Sequence, residues 1–386
     1  MKVKFSDVVR RANTKEDKDN TDKVFYVGGE HIDSNEVLIT KRGIIAGSTI
    51  GPMFYFGFKA GQVLFVSRNP HLRKAGMVDF DGICSEKTFV LETIDENILL
   101  QRYLPFILQS DHFWSYAESN KSGSVNFFIN WSTLAKYEFE LPSIAKQKEL
   151  SDLLWAINDT KLAYRKMLIA TDELVKSQFI ALFGDQNHEN TQRTEYTLQE
   201  LIDRGWITYH LDGNHGGQYP RSDEFVSSGV PYISANCIVN GYVDFSKAKF
   251  VTTERAKQFR KGIAQNRDVL FAHNATVGPV ALLSTEKTTV ILGTSLTAFR
   301  CDPAHIIPEY LKVFMECEYF IKQYAAEMQQ TTRKQVPITT QRKYSFIIPE
   351  IALQNRYAYF VQQSDKSKFA ALNISNLNLS LCLASI

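Results

Sequence analysis

The chain has 386 residues, a length that suits two domains of ordinary size, each with its own hydrophobic core. Its net charge of +2 is lower than a stand-alone nucleic-acid-binding protein usually carries, and no apolar run reaches the length of a membrane span. The start, MKVKFSDVVRR, lacks the apolar stretch of a signal peptide, and the five cysteines form no CxxC pair. We therefore expect no structural metal site, no disulfide framework, and a location in the reducing cytoplasm.

The first predicted domain covers residues 1–142 and is rich in strand-like segments. Four of them read VFYVGG, GPMFYFGF, QVLFVS and TFVLETI, and Gly, Asn, Asp and Pro turns separate them. A helical stretch, ILLQRYLPFILQSDHFWSYAES, follows, and then a polar loop at residues 120–124. The final segment, NFFINWSTLAKYEFELP, returns to strand character. The pattern predicts a mixed α+β domain.

A long central helix is predicted over residues 143–184. No Pro or Gly interrupts this segment before Gly184, which is a plausible C-terminal cap, and apolar residues recur at three- and four-residue steps. Forty residues of helix would be about 60 Å long. A helix of this length with one apolar stripe requires a helical partner.

The second predicted domain covers residues 191–349 and repeats the order of the first. VPYIS, AKFVT, DVLFAHN and TSLTAFR read as strands, IPEYLKVFMECEYFIKQYAAE reads as a helix, and KYSFIIP closes the domain. Residues 350–386 are predicted to form a second long helix that pairs with the central one. Its apolar stripe is weaker and three asparagines lie near its end, so we expect a shorter, frayed helix there.

The two halves of the chain are related by an internal repeat. LPSIAKQ near residue 141 matches IPEIALQ near residue 348, and Gln147 and Gln354 set the offset at 207 residues. Tyr103 matches Tyr310 at the same offset, and the strand ends GQVLF and RDVLF match at 206. A period this long indicates a duplicated domain and excludes a solenoid.

No catalytic motif is present in the sequence. It contains no GxxxxGK[ST] phosphate loop, no Gly-rich nucleotide-binding turn, no HExxH, and no Pro-Pro dipeptide of the kind that amino-methyltransferases use. Asp81 and the Glu86-Lys87 pair are only loosely similar to a metal nuclease motif, and a solvated turn explains them better. We predict no catalytic residue, no metal site and no cofactor-binding site, and a binding function.

The candidate binding residues are polar and basic side chains in loops that follow predicted strands or helices. Arg contacts guanine, Asn contacts adenine, and both types contact phosphates, so such loops suit DNA, although a charged loop is also often only solvated surface. Their recurrence at matching positions in both halves favours DNA binding. The predicted DNA-binding residues are Arg68, Asn69, His71, Arg73, Lys74, Lys121, Ser122, Ser124, His273, Asn274, Thr276, Thr331, Thr332, Arg333 and Lys334.

Taken in order, these features resemble the specificity (S) subunit of type I restriction-modification systems. The matching segments are LPSIAKQ before a long helix, its end KSQFIALFGD, the GQVLF and RDVLF strand ends, PEYLKVF, the TTRKQVPI loop, and IPEIALQ before the second helix. Each motif alone is weak, but their duplicated order is specific, and the resemblance covers nearly the whole chain.

The resemblance implies an α+β fold with two homologous target recognition domains, separated by two long helices that form an antiparallel coiled coil with pseudo-twofold symmetry. It also implies a split DNA target, two DNA methyltransferase (M) subunits and restriction (R) subunits as partners, and no catalysis by the chain itself. Methyl donor and ATP would bind the partners. Because the two domains differ outside the shared framework, the target should be asymmetric. Two alternatives stay open: a structural adaptor that does not bind DNA, and a self-contained DNA-modifying enzyme with degenerate motifs.

Overall fold

The computed structural model of the chain describes residues 1–184, 194–214, 216, 219–328 and 334–375. The chain divides into two compact units. Among the described residues, unit 1 contains residues 1–167 and 371–375, and unit 2 contains the residues between 168 and 370. No helix in the described ranges is long and apolar enough to cross a membrane.

Unit 1 contains two mixed sheets and a short terminal pair of strands. One sheet has the strand order β2-β10-β7-β8-β4, the other has β5-β3-β9-β6, and β1 pairs with β11. Its strands are β1 Lys2–Lys4, β2 Val9–Arg11, β3 Phe25–Val27, β4 Leu38–Ile39, β5 Gly43–Ile44, β6 Phe54–Phe58, β7 Val63–Val66, β8 Ala75–Val78, β9 Gly82–Ser85, β10 Thr88–Thr93 and β11 Glu138–Glu140. Its helices are α1 Phe5–Val8, α2 Leu104–Leu108, α3 Asp111–Ser119 and α4 Trp131–Leu134.

The main core of unit 1 lies between the β7 sheet and helices α2 and α3. The fully buried rings of Phe65 on β7 and Trp114 on α3 stack with their centroids 5.6 Å apart. Phe113 and Tyr137 pack edge-on beside them at 5.2 Å. Burial of these large aromatic side chains anchors β7, and therefore the loop that follows it, against the helices.

Unit 2 repeats this arrangement. The strand order β13-β23-β20-β21 corresponds to β2-β10-β7-β8, and β18-β15-β22-β19 corresponds to β5-β3-β9-β6. Its strands are β12 Glu195–Thr197, β13 Ile207–Asp212, β14 Phe225–Val226, β15 Val230–Ile233, β16 Ile238–Val239, β17 Tyr242–Val243, β18 Lys249–Val251, β19 Ile263–Ala264, β20 Val269–Ala272, β21 Val280–Leu282, β22 Val290–Leu292, β23 Leu296–Cys301 and β24 Ser345–Ile347. Its shorter helices are α6 Leu198–Asp203, α7 Thr253–Ala256, α8 Pro308–Glu316, α9 Glu318–Met328 and α10 Ile338–Gln341.

The unusual pairing within the smaller sheets also recurs. In unit 1 the strands β3 and β9 pair in parallel, while their outer neighbours are antiparallel. In unit 2 the corresponding strands β15 and β22 pair in parallel, again with antiparallel neighbours. This match of topology and pairing direction supports the domain duplication inferred from the repeat.

Two buried glutamines show the duplication at atomic detail. The Gln147 amide accepts from Leu100 N at 3.0 Å and donates to the carbonyls of Ile98 and Pro142, each at 2.9 Å. In unit 2, the Gln354 amide accepts from Ile307 N at 2.9 Å and donates to the carbonyls of His305 and Pro349 at 3.1 and 2.8 Å. Every one of these partners is related by 207 residues. Each amide satisfies three backbone groups, and so ties the start of a long helix to its own domain.

The long central helix, α5 Ile144–Phe183, has 40 residues. Gly184 follows it with φ +73°, a left-handed cap conformation that favours glycine. The second long helix, α11 Ile351–Ser375, is described over 25 residues, and the predicted fraying beyond it lies outside the described residues.

Contacts within unit 2 fix how α5 and α11 pair. Phe179 packs edge-on against Tyr357, with ring centroids 5.5 Å apart, and the Asp172 carboxylate lies near the Lys368 ammonium. From residue 172 to residue 179 of α5, the contacted residue of α11 moves back from 368 to 357. The helices run antiparallel here, as predicted, and the α+β class is confirmed.

Two predicted helices are each divided in the structure. The stretch from residue 98 contains α2 and α3 with a break at Gln109 and Ser110, and Ser110 caps α3 by accepting from Phe113 N at 3.2 Å. In unit 2, α8 and α9 are separated by Cys317, whose backbone is extended. The segment NFFINWSTLAKYEFELP also differs from its prediction, since it contains a short helix before β11.

Candidate nucleic-acid interface

The two candidate loops of unit 1 lie beside each other in the structure. Arg68 follows β7 and forms an isolated antiparallel bridge with Phe128, and the neighbouring Asn69 N donates to Phe127 O at 2.8 Å. The second loop doubles back on itself, because Ser122 and Phe128 exchange two backbone hydrogen bonds of 2.7 and 3.0 Å. Segments that are about 50 residues apart in sequence thus form one polar surface.

Members of the first loop have different surroundings. Arg68 and His71 are exposed, and Asn69 and Arg73 both have φ +50°, so the backbone turns tightly between them. Arg73 forms an ion pair with Asp111 at 2.5 Å. The Lys74 ammonium donates to Gly29 O, also at 2.5 Å. Arg73 and Lys74 are therefore held by the protein itself, whereas Arg68 and His71 face solvent.

The second loop is exposed at its tip. Ser122 and Ser124 are exposed on either side of Gly123, which has φ +97°. The Lys121 ammonium lies 4.4 Å from the centre of the Phe127 ring, a cation–π contact that keeps its charge close to the bridge between the loops.

A cleft of about 430 Å³ opens beneath the bridge, and the sequence interpretation missed most of its residues. The guanidinium of Arg11 lies 4.2 Å from the Phe89 ring, and burial lowers its pKa. Its buried Nε has no hydrogen-bond partner in the part of the chain that is described. The sequence signal for Arg11 was the Arg10-Arg11 pair. Neighbouring side chains in a strand point to opposite faces, so one of two successive arginines faces the interior. The lining residues that the prediction missed also include Tyr55, Lys87, Asn126 and Asn130.

Unit 2 brings the corresponding segments together. Asn274 forms an antiparallel bridge with Gln335, and Ala275 N donates to Lys334 O at 3.2 Å. Thr276 and Lys334 are exposed, and Asn274 is half-buried. The remaining predicted members of this surface, Thr331, Thr332 and Arg333, lie outside the described residues.

His273 differs from its prediction as a DNA contact. Its side chain is only 3% exposed, and its Nδ1 lies 3.0 Å from Val336 O. The residue directly follows the fully buried strand β20 and continues the buried run, so it supports the loop from below. A group that is buried in this way does not reach a ligand at the surface.

A second buried histidine lies beneath the same loop. His210 Nε2 donates to Gln341 Oε1 at 3.1 Å, and the Gln341 amide in turn donates to Thr297 Oγ1 and Val336 O, both at 3.1 Å. Burial lowers the pKa of His210 to about 4, more than the hydrogen bond to Gln341 raises it. The imidazole is therefore neutral at pH 7.

The backbone beneath the two surfaces is the same. Ser67 N donates to Lys87 O at 2.8 Å, and Ile129 N donates to Ser67 O at 2.9 Å. In unit 2, His273 N donates to Ser295 O at 2.9 Å, and Val336 N donates to His273 O at 2.8 Å. The side chains on this shared backbone differ, since Arg68 and Phe128 in unit 1 correspond to Asn274 and Gln335 in unit 2. The arrangement can therefore present two different sets of hydrogen-bonding groups from one framework.

The described residues contain no group of three or more His, Cys, Asp or Glu side chains that could hold a metal ion. Burial raises the pKa of the Cys84 thiol to about 12 and raises that of Cys301 as well, so neither provides a reactive thiolate at neutral pH.

Two copies of one domain, each with polar loops on a common backbone, define a protein built from a duplicated domain. Residues 192–378 match the family described as the type I restriction modification DNA specificity domain. The second half of the chain is thus similar to this family. A comparison of the sequence with curated proteins finds no significant match.

Solved structures give the same result for the fold. The S subunit of the type I restriction-modification system from M. genitalium is 14% identical, with a TM-score of 0.62, and the match covers 98% of this chain and 95% of that one. A chain from a study of complex assembly and conformational transition in a type I R-M system is 17% identical, with a TM-score of 0.52, and the match covers 97% and 93%. Together with the family match, these similarities confirm the predicted resemblance to specificity subunits.

Proposed function

We propose that this chain is the DNA sequence-recognition subunit of a type I restriction-modification complex. It reads a bipartite, asymmetric target and directs partner methyltransferase and restriction subunits to that target. The observation that carries the proposal is the shared backbone framework, which bears Arg68 and Phe128 in unit 1 and Asn274 and Gln335 in unit 2. One framework with two sets of side chains suits two half-sites of different sequence.

The proposed target recognition domains cover residues 1–142 and 191–349. Arg73 and Lys74 support the first loop through their contacts with Asp111 and Gly29, and the buried His273 is no longer part of the interface. The residues retained as direct DNA contacts are Arg68, Asn69, His71, Lys121, Ser122, Ser124, Asn274, Thr276 and Lys334, and, outside the described residues, Thr331, Thr332 and Arg333.

Helix α5 suits the role of a platform for the methyltransferase subunits. Ile169 and Ile180 expose 61% and 54% of their surface and lie on the same face of this helix, because 11 residues make about three turns. An exposed apolar stripe on one helix face is a feature of protein-binding surfaces. The partners carry out catalysis, bind the methyl donor and ATP, and add phosphate contacts that compensate for the net charge of only +2. The complex acts on DNA in the cytoplasm.

The test is base-modification sequencing of DNA from cells that carry this chain and its neighbouring methyltransferase gene. Cells without the chain serve as the control. We expect a split, asymmetric methylation motif that disappears with the chain. If the modification pattern is unchanged while the two proteins co-purify, the chain is a structural adaptor. Methylation by the purified chain alone would instead identify a self-contained enzyme.

A further inference from the structure

We propose that Arg68 reads a guanine in one half-site, and that Asn274 together with Gln335 reads an adenine in the other. This assignment rests on the proposed function and deepens it, because it names the base that each unit recognises. Each pair occupies the same place in its unit, at the antiparallel bridge between the loop after the buried strand and the later polar segment.

The bridge geometry makes each pair one recognition element. Residues that face each other in an antiparallel bridge project their side chains to the same face, with Cβ atoms about 4.5–5.5 Å apart. Arg68 therefore lies beside Phe128, and Asn274 lies beside Gln335. A single base pair presents its hydrogen-bonding atoms over a similar width in the major groove. Both side chains of the bridge can therefore contact the same base pair.

Arg68 has the properties required to bind guanine. It is exposed, and its guanidinium forms no hydrogen bond or ion pair within the described residues. The carboxylate that lines the same cleft, Glu86, is 2.5 Å from the Lys87 ammonium and is already neutralised. A free planar guanidinium matches the two acceptors of guanine, O6 and N7. The neighbouring Phe128, 36% exposed, offers an apolar contact of the kind that a thymine methyl group accepts.

The two bridge residues of unit 2, Asn274 and Gln335, carry no charge. Asn274 and Gln335 place two amides side by side, and neither amide is hydrogen-bonded to the described residues. An amide both donates and accepts, as adenine N7 and N6 require, whereas guanine presents two acceptors there. His210, which supports this loop from below through Gln341, is neutral at pH 7. Lys334, next to Gln335, is placed to contact the adjoining phosphate.

The experiment is methylation sequencing with the full chain and its methyltransferase, comparing wild type, Arg68→Asn, Arg68→Lys and Arg10→Asn. Wild type should show a fixed guanine in one half-site and a fixed adenine in the other. Both Arg68 variants should lose discrimination at the guanine position by about 5- to 150-fold, the equivalent of one bidentate contact, and should leave the other half-site intact. Arg10, which pairs with Glu92 away from the cleft, is the matched control and should change neither half-site.

Arg68→Lys separates base reading from charge. It keeps the positive charge but loses the planar fork. An unchanged motif in both Arg68 variants would show that Arg68 contacts no base, and would overturn the assignment. A wild-type motif without a fixed guanine would overturn it as well. A wild type that produces no split motif would instead contradict the proposed function. The reciprocal variant, Asn274→Arg with Gln335→Phe, should replace the fixed adenine by guanine, and retention of adenine would contradict the assignment for unit 2.

Discussion

In the loops after β7 and β20, a shift of one position along the chain decides whether a side chain is buried or reaches solvent. The buried run of β7 continues through Ser67, so Arg68 is the first exposed residue after it. His273, which was predicted as a DNA contact, lies one position earlier in its loop, corresponds to Ser67, and is buried as Ser67 is. Burial at a strand end depends on the neighbouring strand and loop, here Ser295 and Val336, and these contacts are not visible in a local pattern.

His210 gives a prediction at this scale, which concerns the dependence of stability on pH. The folded pKa is about 4, below the ordinary value of 6.5, so the unfolded chain binds a proton at a higher pH than the folded chain. The stability that comes from keeping this imidazole neutral is complete above about pH 6.5 and is lost as the pH falls toward 4. The loss amounts to about 3 kcal/mol.

The measurement is urea unfolding at pH 7 and pH 4.5 for wild type and His210→Gln. The variant retains a polar side chain but cannot gain the proton, so its stability should fall less between the two pH values. His71→Gln removes an exposed histidine and should behave as wild type does. An equal fall in wild type and His210→Gln would show that the buried imidazole is not the group responsible.

At the scale of elements, the long helices were predictable and the shorter ones were not. A segment of 40 residues without Pro or Gly gives a clear periodic pattern, and the structure confirms α5 to within one residue. The divisions between α2 and α3, and between α8 and α9, depend on one capping residue or one extended residue. Such breaks are set by packing against the sheet, which overrides a local helical pattern.

A buried ion cluster attaches α5 to the domain of unit 1, and this cluster can be tested. Glu36 accepts from the Lys161 ammonium at 3.1 Å and from the Arg165 guanidinium at 2.9 Å. The Lys161 side chain is only 6% exposed, so Glu36→Ala leaves a buried ammonium without its partner. We expect this variant to destabilise unit 1 by about 3 kcal/mol in urea unfolding, because the arginine can turn to water and the lysine cannot.

Two further variants determine whether burial is the cause. Asp33→Ala breaks a pair with Lys41 in which both side chains are about half exposed, and should cost less than about 1 kcal/mol. Glu36→Leu combined with Lys161→Met removes both charges and should recover most of the stability lost in Glu36→Ala. If the double variant is as unstable as the single one, then the loss comes from packing and the ion pair is not its source.

For the whole molecule, the repeat was the most informative feature of the sequence. The offset of 207 residues relates the two glutamine caps, their backbone partners, and the segments that lead to the long helices. What the sequence could not provide is the correspondence between strands, because β5 and β18 or β6 and β19 share no recognisable motif. Their match is determined by sheet order and pairing direction alone. Domains with a common backbone and divergent surfaces are suited to change one half-site without the other.

The last prediction concerns the length of DNA between the half-sites. If α5 acts as a ruler, inserting four residues after Lys166 extends the helix by about 6 Å, close to two base-pair steps. The insertion site after Lys166 lies between an ion pair of unit 1 and an ion pair of unit 2. Arg165 and its pairing with Glu36 precede the insertion, while Asp172 and its pairing with Lys368 follow it, so both ion pairs are retained.

Methylation sequencing of the insertion variant should show the same two half-sites with a longer spacer. Four residues inserted after Glu286, in the exposed segment between β21 and β22, provide the control and should leave the spacer unchanged. A motif with the original spacer in the Lys166 variant would mean that α5 does not set the distance. Loss of one half-site would mean that the insertion disturbs a recognition domain, in conflict with the retention of Glu36–Arg165 and Asp172–Lys368. A changed spacer with intact half-sites would separate the two tasks, because the helix would determine distance while the loops determine base choice.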